Sequence, residues 1–112
     1  MKRTIAIVCG GDSSEHDVSM RSGQGLYSFF DKERYDVYIV EMKGTGWNVH
    51  LNDGSSARID KNDFSFSSQG KRHHFDYAYI TIHGTPGENG VLQGYFDLLH
   101  IPYSTSGVLV EA

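Results

Sequence analysis

The stretch "TIAIVCGGDSSEHDVSMRSG", residues 4–23, decides the fold because it joins an apolar run to a helix-like segment through two glycines. Residues 4–9 are apolar and rich in β-branched side chains, which is typical of a short parallel strand buried on both faces. Gly10 and Gly11 end that run, and Ser13 or Ser14 can cap a following helix, with Ser14 placing Asp17 three positions on. The stretch therefore predicts a strand, a glycine-rich loop and a helix.

The predicted helix reaches about Phe30. Its apolar side is expected to include Val18, Leu26, Phe29 and Phe30. Small residues at Ser22 and Gly25 are expected to let the helix backbone approach the sheet. Each glycine in a helix lowers its intrinsic stability by about 1 kcal/mol relative to alanine, so tertiary packing must hold this segment.

The remaining chain continues the alternation of strands and helices. Strand-like runs lie at residues 35–42, 76–84 and 101–107, and the clearest amphipathic helix lies at residues 89–100. Such alternation predicts a parallel sheet with right-handed crossovers. We therefore expect a single three-layer α/β domain over residues 1–112, with a mainly parallel sheet of about four strands.

Two segments depart from the alternation. Residues 46–59 predict a small hairpin insertion at the sheet edge, with Asp53-Gly54 as the turn signal. Residues 60–75 are polar and turn-forming apart from two phenylalanines, so we expect a loop with at most a short strand or helical turn. The basic run "GKRHH" at residues 70–74 is interpreted as part of that solvated loop.

Composition narrows the classes of function. The net charge is −4, and the chain lacks the clustered basic face that nucleic-acid binding requires. No apolar stretch approaches the roughly 20 residues needed to cross a bilayer. The single cysteine, Cys9, excludes an internal disulfide and is typical of a reducing compartment. We therefore expect a cytoplasmic protein with neither nucleic acid nor membrane as a partner.

Two glycine-rich loops, at residues 10–16 and 83–90, follow predicted strands. Ligands of open parallel sheets bind beyond the carboxyl ends of the strands, so both loops are expected to face one crevice. The glycine spacing matches neither the Gly-x-Gly-x-x-Gly dinucleotide fingerprint nor the phosphate-binding P-loop. The loops therefore predict a ligand crevice without a nucleotide signature.

Charged side chains in these loops suggest what the crevice binds. Glu15 lies where the first helix begins, and the positive end of the helix dipole favours its ionised form. That carboxylate either complements the dipole alone or holds a substrate ammonium. His83 and Glu88 either pair by a charge-assisted hydrogen bond or serve as a loop histidine and a helix-start glutamate.

Metal and thiol chemistry have weak support in the sequence. The six histidines form no His-Glu-x-x-His motif, and no cysteine pair supports zinc, so we expect no metal site. Cys9 ends the first strand and is predicted to be a buried side chain rather than a nucleophile.

Two quoted stretches together carry a family resemblance. "GGDSSEHDVSMRSG" at residues 10–23 and "HGTPGENGVLQGYFDLLHIPYSTSGVL" at residues 83–109 are similar to the N-terminal domain of D-alanine–D-alanine ligases. The resemblance runs from the first strand to the last loop and is least specific between residues 44 and 75. It implies a three-layer Rossmann-like domain with a mainly parallel sheet and a small hairpin insertion.

The resemblance implies roles for individual residues. Glu15 would bind the ammonium of the first D-alanine, and Val18 would lie against its methyl group. His83 would lie near the reacting carboxylate, Glu88 would support that loop, and Gly84 would help shape the crevice. Glu15 and His83 are thereby the candidate catalytic residues, and all five are candidate substrate-binding residues.

The resemblance also implies what lies outside this chain. Family members join two D-alanines at the expense of ATP, with Mg²⁺ or Mn²⁺, in peptidoglycan precursor synthesis, and they bind ATP in two further ATP-grasp domains. No residues here match those sites, so we expect the domain to be inactive alone and to bind neither ATP nor metal. The resemblance also implies a homodimer, because relatives pair partly through this domain. The alternatives are a Rossmann-like small-molecule-binding module and a dimerisation module.

Overall fold

The computed structural model describes residues 2–12, 14–82 and 90–105, and within these ranges the chain forms eight strands and two helices. In chain order these are β1 (Arg3–Gly10), α1 (His16–Phe29), β2 (Tyr35–Lys43), β3 (Gly46–His50), β4 (Ser56–Arg58), β5 (Ser65–Ser68), β6 (Lys71–His74), β7 (Tyr77–Ile80), α2 (Val91–Leu98) and β8 (Tyr103–Thr105). Six strands form one sheet in the order β4-β3-β2-β1-β7-β8, and β5 pairs with β6 in a second sheet.

The main sheet has a parallel centre and an antiparallel edge. β2, β1, β7 and β8 pair in parallel, which confirms the predicted mainly parallel sheet of four strands. β3 and β4 continue the sheet as an antiparallel hairpin beside β2, which confirms the hairpin insertion and its edge position. The sheet is thereby buried at its centre, where the parallel strands are most apolar.

The second hairpin corrects the sequence prediction of a loop at residues 60–75. β5 and β6 pair antiparallel, and Gln69 and Gly70 join them with φ values of 54° and 73°. Two successive left-handed residues are the requirement of a type I′ turn, which suits a two-residue hairpin loop. The strands themselves are mostly polar and short, so they carry little of the alternating apolar pattern that predicts a strand.

The two helices lie on opposite faces of the main sheet. Ile7 of β1 packs in a small cluster against which Leu26 of α1 lies, whereas Val8 belongs to the large core together with Phe96 of α2. Successive strand residues point to opposite faces, so α1 and α2 cover different sides. This arrangement confirms the predicted three layers, and the β5–β6 hairpin shares the α2 side through Phe66.

The strand order reverses direction at β1. The β1–α1–β2 unit advances toward one edge of the sheet, and the β7–α2–β8 unit advances toward the other. Two crossovers of the same hand that advance in opposite directions must place their helices on opposite faces, as observed. The boundary between β1 and β7 is therefore the topological switch point, where ligands of open α/β sheets bind.

Helix α1 approaches the sheet at a different position from the one predicted. Gly23 and Ser19 are its buried residues, whereas Ser22 and Gly25 are exposed. Its apolar side is also narrower than expected, because Val18 is 41% exposed and Phe29 is 86% exposed. The first turn of α1 packs on β1 through small side chains, which sets the helix close to the sheet.

Gly23 and Gly25 give a matched test of this packing. A Cβ on Gly23 would lie 2.8 Å from Cys9 Sγ, whereas a Cβ on Gly25 would have no neighbour within 4 Å. We expect Gly23→Ala to destabilise the domain, since overpacking costs about 1–3 kcal/mol and exceeds the helix-propensity gain of about 1 kcal/mol. Gly25→Ala should stabilise it by about 0.5–1 kcal/mol. Urea unfolding measures both, and equal shifts for the two variants would contradict the packing.

Candidate functional site

The loop after β1 lies against the end of β2. Gly10 and Gly11 have φ values of 99° and 95°, and the Gly11 N–H donates to the Met42 carbonyl at 2.7 Å. A Cβ on Gly10 would stand 2.5 Å from that carbonyl oxygen. Both the left-handed backbone and the close approach require glycine at Gly10, because an L side chain fits neither.

A buried serine joins the ends of the two central strands. Ser19 is fully buried; its Oγ accepts the Gly10 N–H at 2.9 Å and donates to the Thr81 carbonyl at 2.9 Å. Thr81 in turn donates to the Val8 carbonyl, from its N–H at 2.8 Å and from its Oγ1 at 3.2 Å. The start of α1 therefore holds the carboxyl ends of β1 and β7 together at the switch point.

Three titratable side chains, His16, Glu41 and His50, form a hydrogen-bonded network beside this link. His16 Nδ1 is 3.1 Å from the Gly11 carbonyl oxygen, and His16 Nε2 is 2.9 Å from Glu41 Oε2. The other carboxylate oxygen of Glu41 is 2.9 Å from His50 Nε2. A carbonyl and an ionised carboxylate only accept hydrogen bonds, so His16 can donate to both partners only as a doubly protonated imidazolium.

The pKa shifts agree with this charge assignment. The hydrogen bond to the Gly11 carbonyl raises the pKa of His16 above its ordinary value, and the hydrogen bond and charge of Glu41 raise it further against a lowering by burial. Burial by itself raises the pKa of Glu41, but the hydrogen bonds and charges of His50 and His16 together bring it below its ordinary value. Both groups are thus held in their charged forms.

Glu15 and Val18 lie at the edge predicted for them. Glu15 directly precedes the first residue of α1, its side chain is exposed, and its carbonyl accepts the Ser19 N–H at 2.9 Å. Val18 lies in the first turn and is 41% exposed. Glu15 occupies the N-cap position, so the prediction of Ser14 there is wrong: Ser14 lies in the turn before the helix.

The other predicted site residues, His83, Gly84 and Glu88, lie outside the described residues. Their roles stay predictions. The described residues stop at Ile82, two residues beyond β7, and resume at Gly90.

An open groove of about 360 Å³ lies where β1 gives way to α1. Both signs of charge line it, through the residues Gly11, Asp12, Ser14, His16, Asp17 and Lys43. The Asp12 carboxylate accepts the Gly44 N–H at 2.7 Å, which ties this loop to the β2–β3 turn. The groove therefore has a fixed polar wall on the β2 side.

Other chemistry has less support within the described residues. There, no group of three or more histidine, cysteine, aspartate or glutamate side chains is placed to hold a metal ion. Cys9 is fully buried as predicted, and burial together with the charge of Glu41 raises the pKa of its thiol to about 12. In the same part of the chain, neither helix is long and apolar enough to span a membrane.

A sequence model of the family described as "D-ala D-ala ligase N-terminus" matches residues 4–106. The chain belongs to this family. The D-alanine–D-alanine ligase of Phocaeicola vulgatus is 71% identical over all 112 residues, and that of Bacteroides thetaiotaomicron is 66% identical over the same span. The chain spans about a third of the length of these relatives, since it covers 35% of each.

Solved structures of ligases share the fold of this ligase-family domain. D-alanyl-alanine synthetase A from Vibrio cholerae matches 92% of this chain and 31% of its own, with 35% identity and a TM-score of 0.76. The D-alanine–D-alanine ligase from Coxiella burnetii matches 91% of this chain and 35% of its own, with 28% identity and a TM-score of 0.79.

Three residues of the polar network at this candidate site escaped the sequence analysis. Ser19, Glu41 and His50 act through contacts between residues that are distant in the chain. The available signal was Glu41 itself, a charged residue within the apolar run of β2. Such a residue in a half-buried strand needs a partner.

Removing the Ser19 hydroxyl tests the link between the strands. Ser19→Ala leaves a buried N–H at Gly10 and a buried carbonyl at Thr81 without that partner, at about 1–3 kcal/mol each. We expect the ligase-family domain to lose about 2–4 kcal/mol of unfolding free energy in urea. Ser22→Ala, on the exposed side of the same helix, should change it by no more than about 0.5 kcal/mol. Similar losses in both variants would show that Ser19 is an ordinary helix residue.

The charged pair predicts a pH window for stability. The contribution of His16 is fully present below its ordinary pKa of 6.5 and is lost as pH rises through its raised pKa. The contribution of Glu41 is present above its ordinary pKa of 4.5 and is lost as pH falls through its lowered pKa. Melting temperatures from pH 3 to about 9 should therefore differ most between wild type and Glu41→Gln near pH 4.5–6.5. A difference that stays constant across the range would contradict the pair.

Proposed function

We propose that this domain binds the first amino acid in an ATP-dependent D-alanine–D-alanine ligase, within a polypeptide that carries further domains. The observation that carries the proposal is the exposed carboxylate of Glu15 at the switch-point edge of a chain in this ligase family. The relatives that share the whole of this chain are named D-alanine–D-alanine ligases. In this proposal the reaction supplies a peptidoglycan precursor in the cytoplasm.

Glu15 supplies the charge that a free amino acid needs. Its carboxylate stands before the first turn of α1, at the positive end of the helix dipole. An ionised carboxylate at an open edge forms charge-assisted hydrogen bonds with an ammonium group. Val18, three residues further along and 41% exposed, offers an apolar side chain against which a substrate methyl group would lie in this proposal.

The second loop supplies the remaining roles in the proposal. β1 and β7 are parallel neighbours, so the segment after Ile82 starts at the same sheet edge as Gly10. His83 would lie near the carboxylate of the first D-alanine, with Glu88 and Gly84 supporting the loop. Fixing the ammonium and the carboxylate together is catalysis by positioning, which holds the carboxylate where it can be activated.

The described residues do not fit a nucleotide or a metal ion. They form no metal-binding cluster, and the loop after β1 has no phosphate-binding glycine spacing. A ligase structure from Bacillus anthracis that is 32% identical, with a TM-score of 0.58, is described as complexed with ATP, and this chain covers 28% of it. ATP and Mg²⁺ or Mn²⁺ are accordingly proposed to bind to the other domains. A homodimer belongs to the same proposal. Phe29 on α1 and Leu98 on α2 are exposed apolar side chains on opposite faces of the sheet, so each marks a separate place where such a contact could form.

The test is a kinetic comparison in the full-length polypeptide. Phosphate release with ATP, Mg²⁺ and D-alanine reports ligation, and the 112-residue chain alone is the inactive control. Glu15→Gln keeps the shape of the side chain and removes its charge. Because a hydrogen bond to a charged group is worth about 1.5–3 kcal/mol, KM for the first D-alanine should rise roughly ten- to a hundredfold.

The same variant separates the two interpretations of Glu15. If the carboxylate only complements the helix dipole, Glu15→Gln lowers the melting temperature slightly and leaves KM within twofold of wild type. If it binds the substrate, KM rises while the melting temperature barely moves. An unchanged KM would remove the proposed role of Glu15.

A further inference from the structure

We propose that His16 is a positioning residue for the amino-acid site: its imidazolium holds the loop after β1 against β2 and thereby fixes the backbone that carries Glu15. The proposal rests on the proposed function of Glu15. It assigns to His16 no contact with substrate, and its effect passes through the loop.

The geometry places His16 at the junction of three elements. It is the first residue of α1 and directly follows Glu15. Its Nδ1 binds the Gly11 carbonyl in the loop at 3.1 Å, and its Nε2 binds Glu41 on β2 at 2.9 Å. Only 19% of its side chain is exposed, and its Cε1 would lie 3.0 Å from a Cβ on Gly10. The ring thus fills the space between loop and strand.

Only the doubly protonated ring can make both contacts. A neutral imidazole has one N–H, so it would either release the Gly11 carbonyl or turn a lone pair toward the Glu41 carboxylate. Either change removes one of the two anchors. The loop is therefore held on both sides only while His16 is a cation.

The charged surroundings favour that cation. Five charged or titratable side chains surround His16 or its partner Glu41. They come from the loop, the helix and two strands, and they are Asp12, Asp17, Glu41, Lys43 and His50. Three of the five are carboxylates, and the charges of Glu41 and Asp17 raise the pKa of His16. Lys43 lines the same groove with the opposite charge. The net direction is a raised pKa, so His16 loses its proton at a higher pH than an ordinary histidine does.

The chain provides a matched pair of variants. His16→Gln keeps a hydrogen-bonding side chain but cannot donate to both partners with a positive charge. His50→Gln changes the other partner of the same carboxylate, but His50 lies at the end of β3 and is 45% exposed, and its ring binds the second oxygen of Glu41 rather than the loop carbonyl that His16 binds. A purely structural role for the Glu41 network would affect both variants alike.

The experiment measures KM and kcat for the first D-alanine from pH 6 to about 9 in the full-length polypeptide. His16→Gln should raise KM at pH 7 roughly three- to thirtyfold, as expected for losing part of a charged hydrogen bond, with kcat within about threefold. Wild-type KM should rise with pH where His16 loses its proton, and His16→Gln should lack that rise. Deprotonation of the substrate amine affects both proteins equally, so their difference isolates His16.

Three outcomes decide the proposal. The positioning role is supported if two results are found together. His50→Gln raises KM by less than about twofold and keeps the pH dependence of KM, whereas His16→Gln raises KM by more than that and loses the pH dependence. If Glu15→Gln raises KM but His16→Gln matches His50→Gln, the proposed function stands and the role of His16 is overturned. If Glu15→Gln leaves KM unchanged, both proposals fail.

A second variant and a spectroscopic readout guard against misfolding. Glu41→Gln leaves the His16 ring in place and withdraws its anionic partner, so it should shift KM in the same direction as His16→Gln. Ring ¹⁵N chemical shifts of the 112-residue chain should show both His16 nitrogens protonated at pH 7. A neutral His16 ring at pH 7 would overturn the proposal whatever the kinetics.

Discussion

The hydrogen bonds of the Ser19 hydroxyl are the interaction that holds the carboxyl ends of β1 and β7 together. The hydroxyl receives the Gly10 N–H and donates to the Thr81 carbonyl, so one buried oxygen satisfies backbone groups at the ends of two parallel strands. Strands that stop at a sheet edge leave such groups without ladder partners, and an unpartnered buried group is costly. Because α1 supplies the oxygen, the helix, β1 and β7 must keep one relative position.

Much of the fold was predictable because it follows from patterns local in sequence. The apolar run of β1, the amphipathic α2 and the Asp53-Gly54 turn signal each predicted an element that the structure has. The β5–β6 hairpin was missed because its pairing depends on a turn that places Gln69 at φ 54°, a conformation that glutamine rarely adopts. Phe66 is the only large apolar residue of β5, and it is the residue through which this strand joins the large core.

The site was predictable only in part, because its chemistry crosses the sheet. The position of Glu15 and Val18 at the start of α1 follows from the sequence after the first strand, and their roles stay predictions. The partner of His16 follows only from the register of β2. Glu41 pairs with Asn48 on β3, which makes His50 its diagonal neighbour on the same face. No spacing within the sequence encodes that adjacency. The choice of Gly23 over Gly25 for helix approach likewise depends on where Cys9 lies beneath α1.

The hydrogen bonds of Ser19 and those of His16 at this edge respond differently to pH and salt. The Ser19 link is buried and has no titratable group, so neither pH nor salt acts on it directly. The His16 link is partly exposed and exists only while His16 is protonated and Glu41 is ionised. The N–H groups of Gly10 and Gly11 are therefore held at any protonation state of His16, whereas the contact at the Gly11 carbonyl depends on the charge of His16. Glu15, the proposed substrate carboxylate, directly precedes the histidine that makes this pH-dependent contact, while the strands beneath it stay in register.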